Sequence, residues 1–392
     1  MKDVVVIDCI RTPMGRSKGG VFRNVRAETL SAHLMSKLLE RNSGVNPAEI
    51  EDIIWGCVQQ TKEQGFNIAR NAQLLTDIPR STGAVTVNRL CGSSMQALHD
   101  AAKSIMTGNG DVFMIGGVEH MGHVPMNYNL DFHPGLAKYT AKASGNMGMT
   151  AELLGRQNGI TREMQDSMAY DSNMRALRAQ KEGRFKREIV PVKTTKTDKA
   201  TGKKMEIVVD ADEGPRASTT MEGLAKLKPA FKENGTSTAG NSSQVSDGAA
   251  AVLLMKRSKA KALGAPIIGS FRGYKVVGVN PDEMGIGPAV AIPPACEAVG
   301  ITPQDVDVYE INEAFASQAA YCVKKLNIDW EKVNPNGGAI ALGHPLGMTG
   351  ARQVATLLAE LHRTKKKVGC VSMCIGTGMG MAAIIEAEGD SF

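Results

Sequence analysis

Short apolar runs and longer amphipathic segments alternate along the N-terminal part of the chain. Short apolar runs are typical of buried strands, whereas apolar residues spaced three and four apart predict helices. The predicted strands are Val4–Ile7, Ile53–Trp55, Ala84–Leu90 and Asp111–Ile115, and the predicted helices are Ala27–Leu39 and Gly92–Met106. This alternation predicts an α/β fold with a doubly wound sheet and right-handed crossovers. The first run, Val4–Ile7, is expected to be a buried strand of a parallel sheet.

The C-terminal third of the chain repeats this order of elements. Its predicted strands lie within Ile267–Val279, at Val306–Ile311 and at Val368–Ile375. The strand residues Ile53 and Val308 are 255 positions apart, and Cys91 and Gly347, which each precede a predicted helix, are 256 positions apart. A nearly constant offset over several elements indicates an internal duplication.

The sequence therefore predicts three parts. Residues 1–118 form the N-terminal half of a duplicated core, and residues 264–392 form its C-terminal half. Residues 119–263 are predicted to be an inserted loop domain with some core elements, because they carry helical stretches, a basic segment and the Gly/Ser-rich run Ser237–Asp247. Ligand sites in such sheets lie at the carboxyl ends of strands, where long loops gather. We therefore expect the middle part to lie over the active face.

The composition favours an enzyme over a nucleic-acid-binding protein. Only 4% of the 392 residues are aromatic, whereas the chain has 42 Gly and 21 Met residues. The net charge is +6, and the segment Arg175–Lys204 has eleven Lys or Arg residues against three acidic ones. This segment is interpreted either as a solvated surface or as a positive rim that attracts a phosphorylated substrate. No nucleic-acid-binding motif accompanies the charge, so no nucleic-acid partner is expected.

The cysteine content predicts a reducing compartment. Seven cysteines are an odd number in a long chain. The N-terminal apolar run Val4–Ile7 is too short for a secretory signal and leads directly into Asp8 and Arg11. No segment has the roughly 20 apolar residues of a membrane span. We therefore expect free thiols and a cytoplasmic protein.

The first candidate for chemistry is Cys91, which lies between a predicted strand and a predicted helix. A thiol at a helix N-terminus lies near free backbone N–H groups and the positive end of the helix dipole, which stabilise a thiolate. The following Gly92 is expected to let a substrate approach the backbone closely. A cysteine packed in the core is the alternative interpretation.

The second candidate is His344, within the run Asn334–Gly347. Small residues surround this histidine and are expected to leave room for a ligand. The duplication places His344 near the C-terminal equivalent of the Cys91 turn, so the two side chains are expected to meet across a pseudo-twofold axis. A cysteine paired with a histidine is an activated nucleophile.

Two further motifs follow predicted strands of the C-terminal part. Cys374 lies at a strand end and precedes a Gly-x-Gly-x-Gly run, whose backbone N–H groups are expected to face an oxyanion. A metal or disulfide site formed with Cys370 lacks further ligands. Asn312 follows the preceding strand, where it can hold a water molecule or donate to an oxyanion.

Other histidines are expected to have structural roles. His120 and His123 are three positions apart, but the segment is not His-Glu-x-x-His, so no metal is expected there. His99 lies in the helix that follows Cys91 and is expected to be packed or to cap the helix.

These residues together resemble the thiolase family over essentially the whole chain. Four separate motifs stand in the family's order and spacing, namely Asn88–Ser94, Asn312–Phe315, Gly343–Pro345 and Cys374–Gly376. The nearest subgroup is the degradative 3-ketoacyl-CoA thiolases of fatty-acid β-oxidation. Gly116–Pro125 is similar to the bacterial oxidation-complex subunits, and Ala239–Gly248 is similar to the peroxisomal enzymes. A peroxisomal matrix location, after removal of a presequence, is therefore the alternative to the bacterial cytoplasm.

The resemblance implies a fold and a role for each candidate. The fold would have two βαβαβαββ-type halves in α/β/α/β/α layers, with an inserted loop domain. Cys91 would carry the acyl group, His344 would activate Cys91 and the CoA thiol, and Cys374 would exchange a proton with the α-carbon of acetyl-CoA. One oxyanion site would be His344 with a water held by Asn312. The other would be the backbone N–H groups of Cys91 and Gly376.

The resemblance also implies substrates and partners. Contacts to CoA carry over to Arg216, Thr219 and Ser243, and Ala314 would line the pocket. CoA is then a substrate, and no metal or organic cofactor is implied. The implied partners are acyl-CoA, further copies of the chain in a homodimer or homotetramer, and a hydratase/dehydrogenase subunit of a fatty-acid oxidation complex. Met348 departs from the family, which usually has a small residue there.

The expected reaction is CoA-dependent cleavage of 3-ketoacyl-CoA to acetyl-CoA and a shortened acyl-CoA. The alternative is a biosynthetic acetoacetyl-CoA thiolase. A decarboxylating or condensing synthase of the same fold is disfavoured by Cys374 in its Cys-x-Gly motif. An inactive CoA- or lipid-binding carrier is disfavoured because Cys91, His344 and Cys374 are all present.

Overall fold

The computed structural model describes residues 3–198 and 201–389. Residues 1–2 of the predicted N-terminal half and residues 390–392 of the predicted C-terminal half therefore lie outside the described residues. The strands are β1 (Val4–Arg11), β2 (Gly15–Arg16), β3 (Asp52–Gly56), β4 (Gly83–Val87), β5 (Val112–His120), β6 (Val192–Thr197), β7 (Lys204–Val209), β8 (Ser246–Lys256), β9 (Gly269–Gly278), β10 (Val308–Ile311), β11 (Val368–Ile375) and β12 (Met379–Ala387). The helices are α1 (Ala27–Arg41), α2 (Ile68–Gln73), α3 (Ser93–Met106), α4 (Met147–Gln157), α5 (Arg162–Lys181), α6 (Met221–Ala225), α7 (Arg257–Leu263), α8 (Gly287–Glu297), α9 (Ala316–Leu326), α10 (Ala339–Leu342) and α11 (Thr349–Thr364). Each helix and strand expected from the sequence is present, with bounds shifted by a few residues.

The strand order shows the duplication directly. The N-terminal half-sheet has the order β4-β3-β5-β8-β1, and the C-terminal half-sheet has the order β10-β11-β12-β9. Where the first half has β4 at its edge, the second has only a bridge from Tyr309 to Val333. The two half-sheets join through a short antiparallel pairing of β1 with β9, at Val5 and Val6. The predicted duplicated α/β fold is therefore confirmed.

Three apolar cores separate the layers of this fold. In the central core, α3 and α11 lie between the two half-sheets and contribute buried side chains such as Leu98 and Val354. Helices α1 and α2 cover the outer face of the N-terminal half-sheet around Trp55. Helix α8 covers the outer face of the C-terminal half-sheet around Ile292. These three cores and the two half-sheets give the α/β/α/β/α arrangement. Each fully buried large apolar side chain stabilises the fold by about 1.5–3 kcal/mol.

The two central helices pack closely because small residues lie where they cross. A Cβ atom on Gly350 of α11 would lie 2.4 Å from the Met95 side chain of α3. The backbone N–H of Ala351 donates to Ser94 Oγ at 3.0 Å. These contacts hold the first turns of α3 and α11 together, which are the turns that follow Cys91 and His344.

The expectation that Val4–Ile7 lies in a parallel sheet is wrong. All eight residues of β1 are buried, but β1 pairs antiparallel with both β8 and β9. Helices cover both faces of this strand, so an antiparallel strand here is as continuously apolar as a strand of a parallel sheet. Parallel pairing occurs between β3 and β4, β3 and β5, and β10 and β11.

The middle part of the chain contributes to both the core and the loops. Strand β8 returns to lie between β1 and β5 in the sheet. Helices α4–α6 and the β6–β7 hairpin precede it in the chain. The division of the chain at residues 118 and 263 stays a prediction. Within the described residues, no helix combines the length and apolarity needed to cross a membrane.

Candidate active site

Cys91 lies in a strained turn between β4 and α3. The predicted strand Ala84–Leu90 ends earlier, at Val87, and Leu90 adopts a left-handed backbone conformation with φ 47°. Such backbone strain in a residue other than glycine is often found at functional sites. A Cβ on Gly92 would lie 2.7 Å from Ile375 Cδ1. This glycine therefore accommodates the opposite half of the protein, whereas the sequence suggested that it accommodates substrate.

The small residues around His344 also serve close packing within the protein. A Cβ on Gly338 would lie 2.2 Å from the Glu313 carboxylate carbon, and a Cβ on Gly343 would lie 2.4 Å from Ser246 Oγ. Gly343 has φ +114°, a conformation that other residues rarely adopt. The expectation that these residues leave space for a ligand is thus wrong for both positions. They allow the His344 turn to be buried.

The hydrogen bonds of His344 assign its tautomer. The Thr349 hydroxyl donates to the Pro345 carbonyl at 2.9 Å, so its oxygen accepts from Nδ1–H of His344 at 2.7 Å. Nε2 then carries the lone pair, and Asn312 Nδ2 donates to it at 3.2 Å. Burial lowers the pKa of His344 to about 3, and Arg352 acts in the same direction. His344 is therefore a neutral imidazole that can accept a proton at Nε2.

The two thiols of the site are protonated in the resting protein. Burial raises the pKa of Cys91 to about 11, although the backbone N–H groups of Gly376 and of Cys91 itself act in the opposite direction. Burial, and then the neighbouring Cys91, raise the pKa of Cys374 well above its usual value. The predicted N–H groups do lie near the Cys91 sulfur. Desolvation nevertheless affects the pKa of Cys91 more than these N–H groups do, so Cys91 is not the thiolate that the sequence predicts.

One cavity of about 570 Å³ brings the main candidates together. Cys91, His344 and Cys374 all line it, and so do Ser243 and Ala314. Asn312 and Gly376 do not line the cavity but contact residues that do. Asn312 donates a hydrogen bond to His344, and the backbone N–H of Gly376 lies near the Cys91 sulfur. Much of the remaining wall is apolar and includes Met121, Met126, Met147, Met284, Phe231 and Phe315.

A second cavity adjoins the first. It has a volume of about 210 Å³ and is lined by Arg216 and Thr219. Gln244 lines both cavities, which places them side by side. The four residues expected to contact CoA therefore lie along one continuous surface, with Ser243 and Ala314 next to the thiols and Arg216 with Thr219 farther out.

Among the described basic residues of the segment Arg175–Lys204, only the arginines at positions 175, 184 and 187 are engaged within the fold. The other described basic residues of the segment are exposed, which agrees with a solvated surface. Arg175 is buried and donates to the Val333 carbonyl at 2.7 Å. Arg184 forms an ion pair with Glu182 at 2.6 Å. Lys199, within this segment, lies outside the described residues. Arg216, beyond the segment, is the basic residue that lines the second cavity.

The histidine pair near the site is satisfied by protein groups. Ligand-type atoms of Glu63, His120 and His123 lie within 4.8 Å of one another. His123 faces Glu63 Oε1 at 3.0 Å and the Arg23 carbonyl at 2.9 Å, so both of its ring nitrogens carry protons. The two rings stack at 3.8 Å with an angle of 15°, which prevents both lone pairs from pointing at one ion. The absence of a metal from the reaction stays a prediction. His99 packs on Tyr274 at 3.8 Å, as expected.

Met348 is accommodated by a glycine. Its side chain is fully buried in the central core. A Cβ on Gly248 would lie 2.7 Å from the Met348 sulfur. The absence of a side chain at Gly248 thus provides the space that a larger residue at position 348 needs.

Sequence reasoning missed three parts of this site. Thr349 is one of them, and its position at the start of the predicted helix after His344 is the signal for it in the sequence. Glu119 is the second, and its only signal is its position beside the two histidines. The methionine-rich wall of the cavity comes from several separate loops, so the high methionine count was its one trace in the sequence.

Comparisons with known proteins agree with this geometry. The family model for the N-terminal domain of thiolases matches residues 4–258, and that for the C-terminal domain matches residues 265–387. The 3-ketoacyl-CoA thiolase of Pseudoalteromonas atlantica is 60% identical, over 98% of this chain and 100% of the relative. That of Shewanella oneidensis is 58% identical, with the same coverage of both chains.

Solved structures show the same fold. The dimeric peroxisomal thiolase of Saccharomyces cerevisiae superposes with a TM-score of 0.90 at 42% identity, covering 99% of this chain and 98% of the other. The acetyl-CoA acetyltransferase of Bacillus anthracis gives 0.90 at 39% identity, covering 99% of both chains. The two family models together span nearly all of the described residues. The chain therefore belongs to the thiolase family.

Proposed function

We propose that the protein is an acyltransferase that cleaves 3-ketoacyl-CoA with CoA, giving acetyl-CoA and an acyl-CoA shortened by two carbons. The observation that carries this proposal is the convergence of Cys91, His344 and Cys374 on one cavity. The relatives named 3-ketoacyl-CoA thiolase support the same reaction.

In the first half-reaction, His344 Nε2 takes the proton of the Cys91 thiol, and the sulfur attacks the 3-keto carbon. The Cα–Cβ bond breaks, which leaves the acyl group on Cys91 and an enolate of acetyl-CoA. The Cys374 thiol protonates the enolate carbon and becomes a thiolate. His344, with a water held by Asn312, stabilises the enolate oxygen. The N–H groups of Cys91 and Gly376 stabilise the oxygen of the acyl-enzyme.

The second half-reaction returns the enzyme to its starting state. After acetyl-CoA leaves, the proton on His344 passes to the Cys374 thiolate. His344 then takes the proton of the incoming CoA thiol, and the CoA sulfur attacks the acyl-enzyme carbonyl. Cys91 leaves as a thiolate and recovers the proton from His344. In this half-reaction the acyl group passes from one thioester to another, so the transfer needs no cofactor besides the substrate CoA.

We assign the CoA binding surface to the residues that line the two adjoining cavities. Ser243 and Ala314 lie beside the thiols, where the pantetheine arm would end. Arg216 and Thr219 line the outer cavity, where a guanidinium suits the phosphates of the nucleotide. This order along the surface matches the order of groups along the CoA molecule.

The apolar wall of the main cavity favours the degradative reaction over a biosynthetic acetoacetyl-CoA thiolase. Acetoacetyl-CoA has a single methyl group beyond its 3-keto carbon, which needs little apolar surface. Met121, Met126, Phe231 and Met284 instead line a volume that fits a longer acyl chain. This argument also supports a role in fatty-acid β-oxidation. The bacterial relatives support a location in the cytoplasm of a bacterium.

We further propose that the protein is a homodimer formed through β4. This strand is at the edge of the N-terminal half-sheet, so one side of its backbone has no partner strand in the described chain. Phe66, next to it, is 97% exposed. The yeast structural relative is itself dimeric. A hydratase/dehydrogenase subunit as a further partner stays a proposal, based on the similarity of Gly116–Pro125 to oxidation-complex subunits.

The acyl-enzyme provides the test of the function. Incubation with 3-ketoacyl-CoA substrates of increasing chain length should add one shortened acyl group to a peptide containing Cys91, as measured by mass spectrometry. Cys91→Ala should abolish this labelling, while Cys296→Ala, which removes a buried thiol from the outer core around α8, should retain it. Labelling that persists in Cys91→Ala would overturn the proposal. Labelling with acetoacetyl-CoA alone would select the biosynthetic alternative.

A further inference from the structure

Glu119 is a buried carboxylate that connects the two halves of the protein. It lies near the end of β5 and is fully buried. The Cys57 thiol donates to Oε1 at 4.0 Å. The two oxygens also accept four N–H hydrogen bonds, from Val58 N at 3.0 Å, Gln59 N at 3.1 Å, Gln64 Nε2 at 2.8 Å and Gly347 N at 3.0 Å. Three of these donors belong to the loop after β3, and the fourth belongs to the C-terminal half. Burial raises the pKa of Glu119, and these four N–H donors act in the opposite direction because they favour the carboxylate.

The backbone of β5 is also in direct contact with the backbone at Gly347. A Cβ on Gly347 would lie 2.4 Å from the Val118 carbonyl oxygen, and a Cβ on Gly117 would lie 2.0 Å from the Gly347 carbonyl oxygen. Gly347 is three residues after His344 and two residues before Thr349. The bond from Gly347 to Glu119 therefore fixes the turn that carries His344 against the half that carries Cys91.

Glu119 also places a carboxylate close to Cys91. It binds the N–H groups of Val58 and Gly347, and Val58 and Leu346 pack with Cys91 in one cluster. Burial raises the pKa of the Cys91 thiol, and Glu119 adds to the increase. The other titratable groups that face Cys91 are His344, from the C-terminal turn, and Cys374, from β11. Both are neutral at rest, so Glu119 is the charged group among them.

We propose that Glu119 is a positioning residue for the reaction, which holds the His344 turn in register with Cys91 and keeps a fixed negative charge beside that thiol. This inference rests on the proposed function of Cys91 and His344. The two effects are separable, because one depends on the reach of the side chain and the other on its charge.

Two variants separate reach from charge. Glu119→Asp keeps the charge but is one methylene shorter, so it cannot bond the loop after β3 and Gly347 together. Its kcat should fall about tenfold or more, because small displacements of catalytic groups are costly, while the pH profile of Cys91 alkylation stays near that of the wild type. Glu119→Gln removes the charge and places an amide against N–H donors. Its kcat should fall similarly, and its alkylation midpoint should move to lower pH by on the order of half a unit or more.

Alkylation of Cys91 by iodoacetamide, followed by mass spectrometry over a pH series, measures the charge effect. Steady-state thiolysis measures kcat and KM. Leu34→Ala, which removes a buried side chain from the outer helix α1, is the control for a loss of stability alone. It should leave both the alkylation profile and kcat near those of the wild type.

The outcomes decide the proposal. Wild-type kcat in Glu119→Asp would overturn the positioning role, even if Glu119→Gln failed to fold. An alkylation profile in Glu119→Gln identical to that of Leu34→Ala would overturn the electrostatic role. If the wild type showed no thiolysis while the alkylation profile still shifted, the proposed function would fail and the charge assignment would stand.

Discussion

At the scale of single residues, the state of His344 decides what the site can do. The imidazole is neutral and buried, and the Thr349 hydroxyl holds the proton on Nδ1. Nε2 is thereby left unprotonated, and it can act as a base toward the Cys91 thiol once it exchanges the hydrogen bond from Asn312 for that proton. Because both thiols are protonated at rest, the site depends on this base more than on a preformed thiolate.

Thr349→Val should therefore impair catalysis with little change of shape. Valine fills the same volume but cannot accept from Nδ1–H, so the tautomer of His344 is no longer fixed. We expect kcat to fall by about 10- to 100-fold, since general acid–base catalysis is typically worth about 10²–10⁴-fold and His344 itself remains. Thr349→Ser keeps the hydroxyl and should stay near the wild type. Equal kcat values for the two variants in steady-state thiolysis would contradict the assignment.

At the scale of elements, a histidine attaches the end of β5 to the N-terminus of α1. The His123 ring bonds Glu63, and the same carboxylate accepts from Ala27 N at 2.9 Å. Burial lowers the pKa of His123, but the bonds to Glu63 and to the Arg23 carbonyl outweigh burial and raise it above 6.5. The next segment carries Met126, which lines the cavity.

This link should make stability depend on pH. A group whose pKa is raised on folding stabilises the protein fully below its unfolded value, near 6.5, and the contribution is lost as pH rises through the folded value. His123→Gln should thus lower the melting temperature more at pH 6 than at pH 9. The difference should correspond to at most about 1 kcal/mol, as for a partly exposed ion pair. If His123→Gln lowered the melting temperature equally at both pH values, the protonated state of His123 would be refuted.

At the scale of the whole molecule, the edge of the sheet leaves a surface for a second copy. The edge strand β4 has unpaired backbone groups, which readily pair with another chain. Asn67 Nδ2 bonds the Ala84 carbonyl at 2.9 Å and so holds the exposed Phe66 beside this edge. We therefore treat the edge of β4 and the Phe66 side chain as one proposed contact surface for the second copy.

Phe66→Lys should weaken this association. A lysine in each copy would add like charges to the proposed interface and would remove a large apolar contact. We expect the population to shift from dimer toward monomer in sedimentation velocity at micromolar concentration. Val208→Lys, at an exposed apolar position on the β6–β7 hairpin, should leave the dimer intact. An unchanged dimer in Phe66→Lys would argue against this surface.

The sequence alone determined the order of elements, the duplication and the main chemical candidates. Strand and helix periods are local properties, and the offset near 256 residues between Cys91 and Gly347 survives in the linear chain. The motifs around Cys91, His344 and Cys374 are also local. Their presence could therefore be predicted without knowing how the halves pack.

Only the tertiary structure decided the features that depend on groups distant in sequence. Strand β1 is antiparallel because β8, more than 200 residues later, returns beside it. The thiol of Cys91 is protonated because burial outweighs the N–H groups that its turn supplies. Gly92 and Gly343 are small because the opposite half or a distant strand approaches them. Desolvation and close packing arise only when the two halves meet, so no local pattern could reveal them.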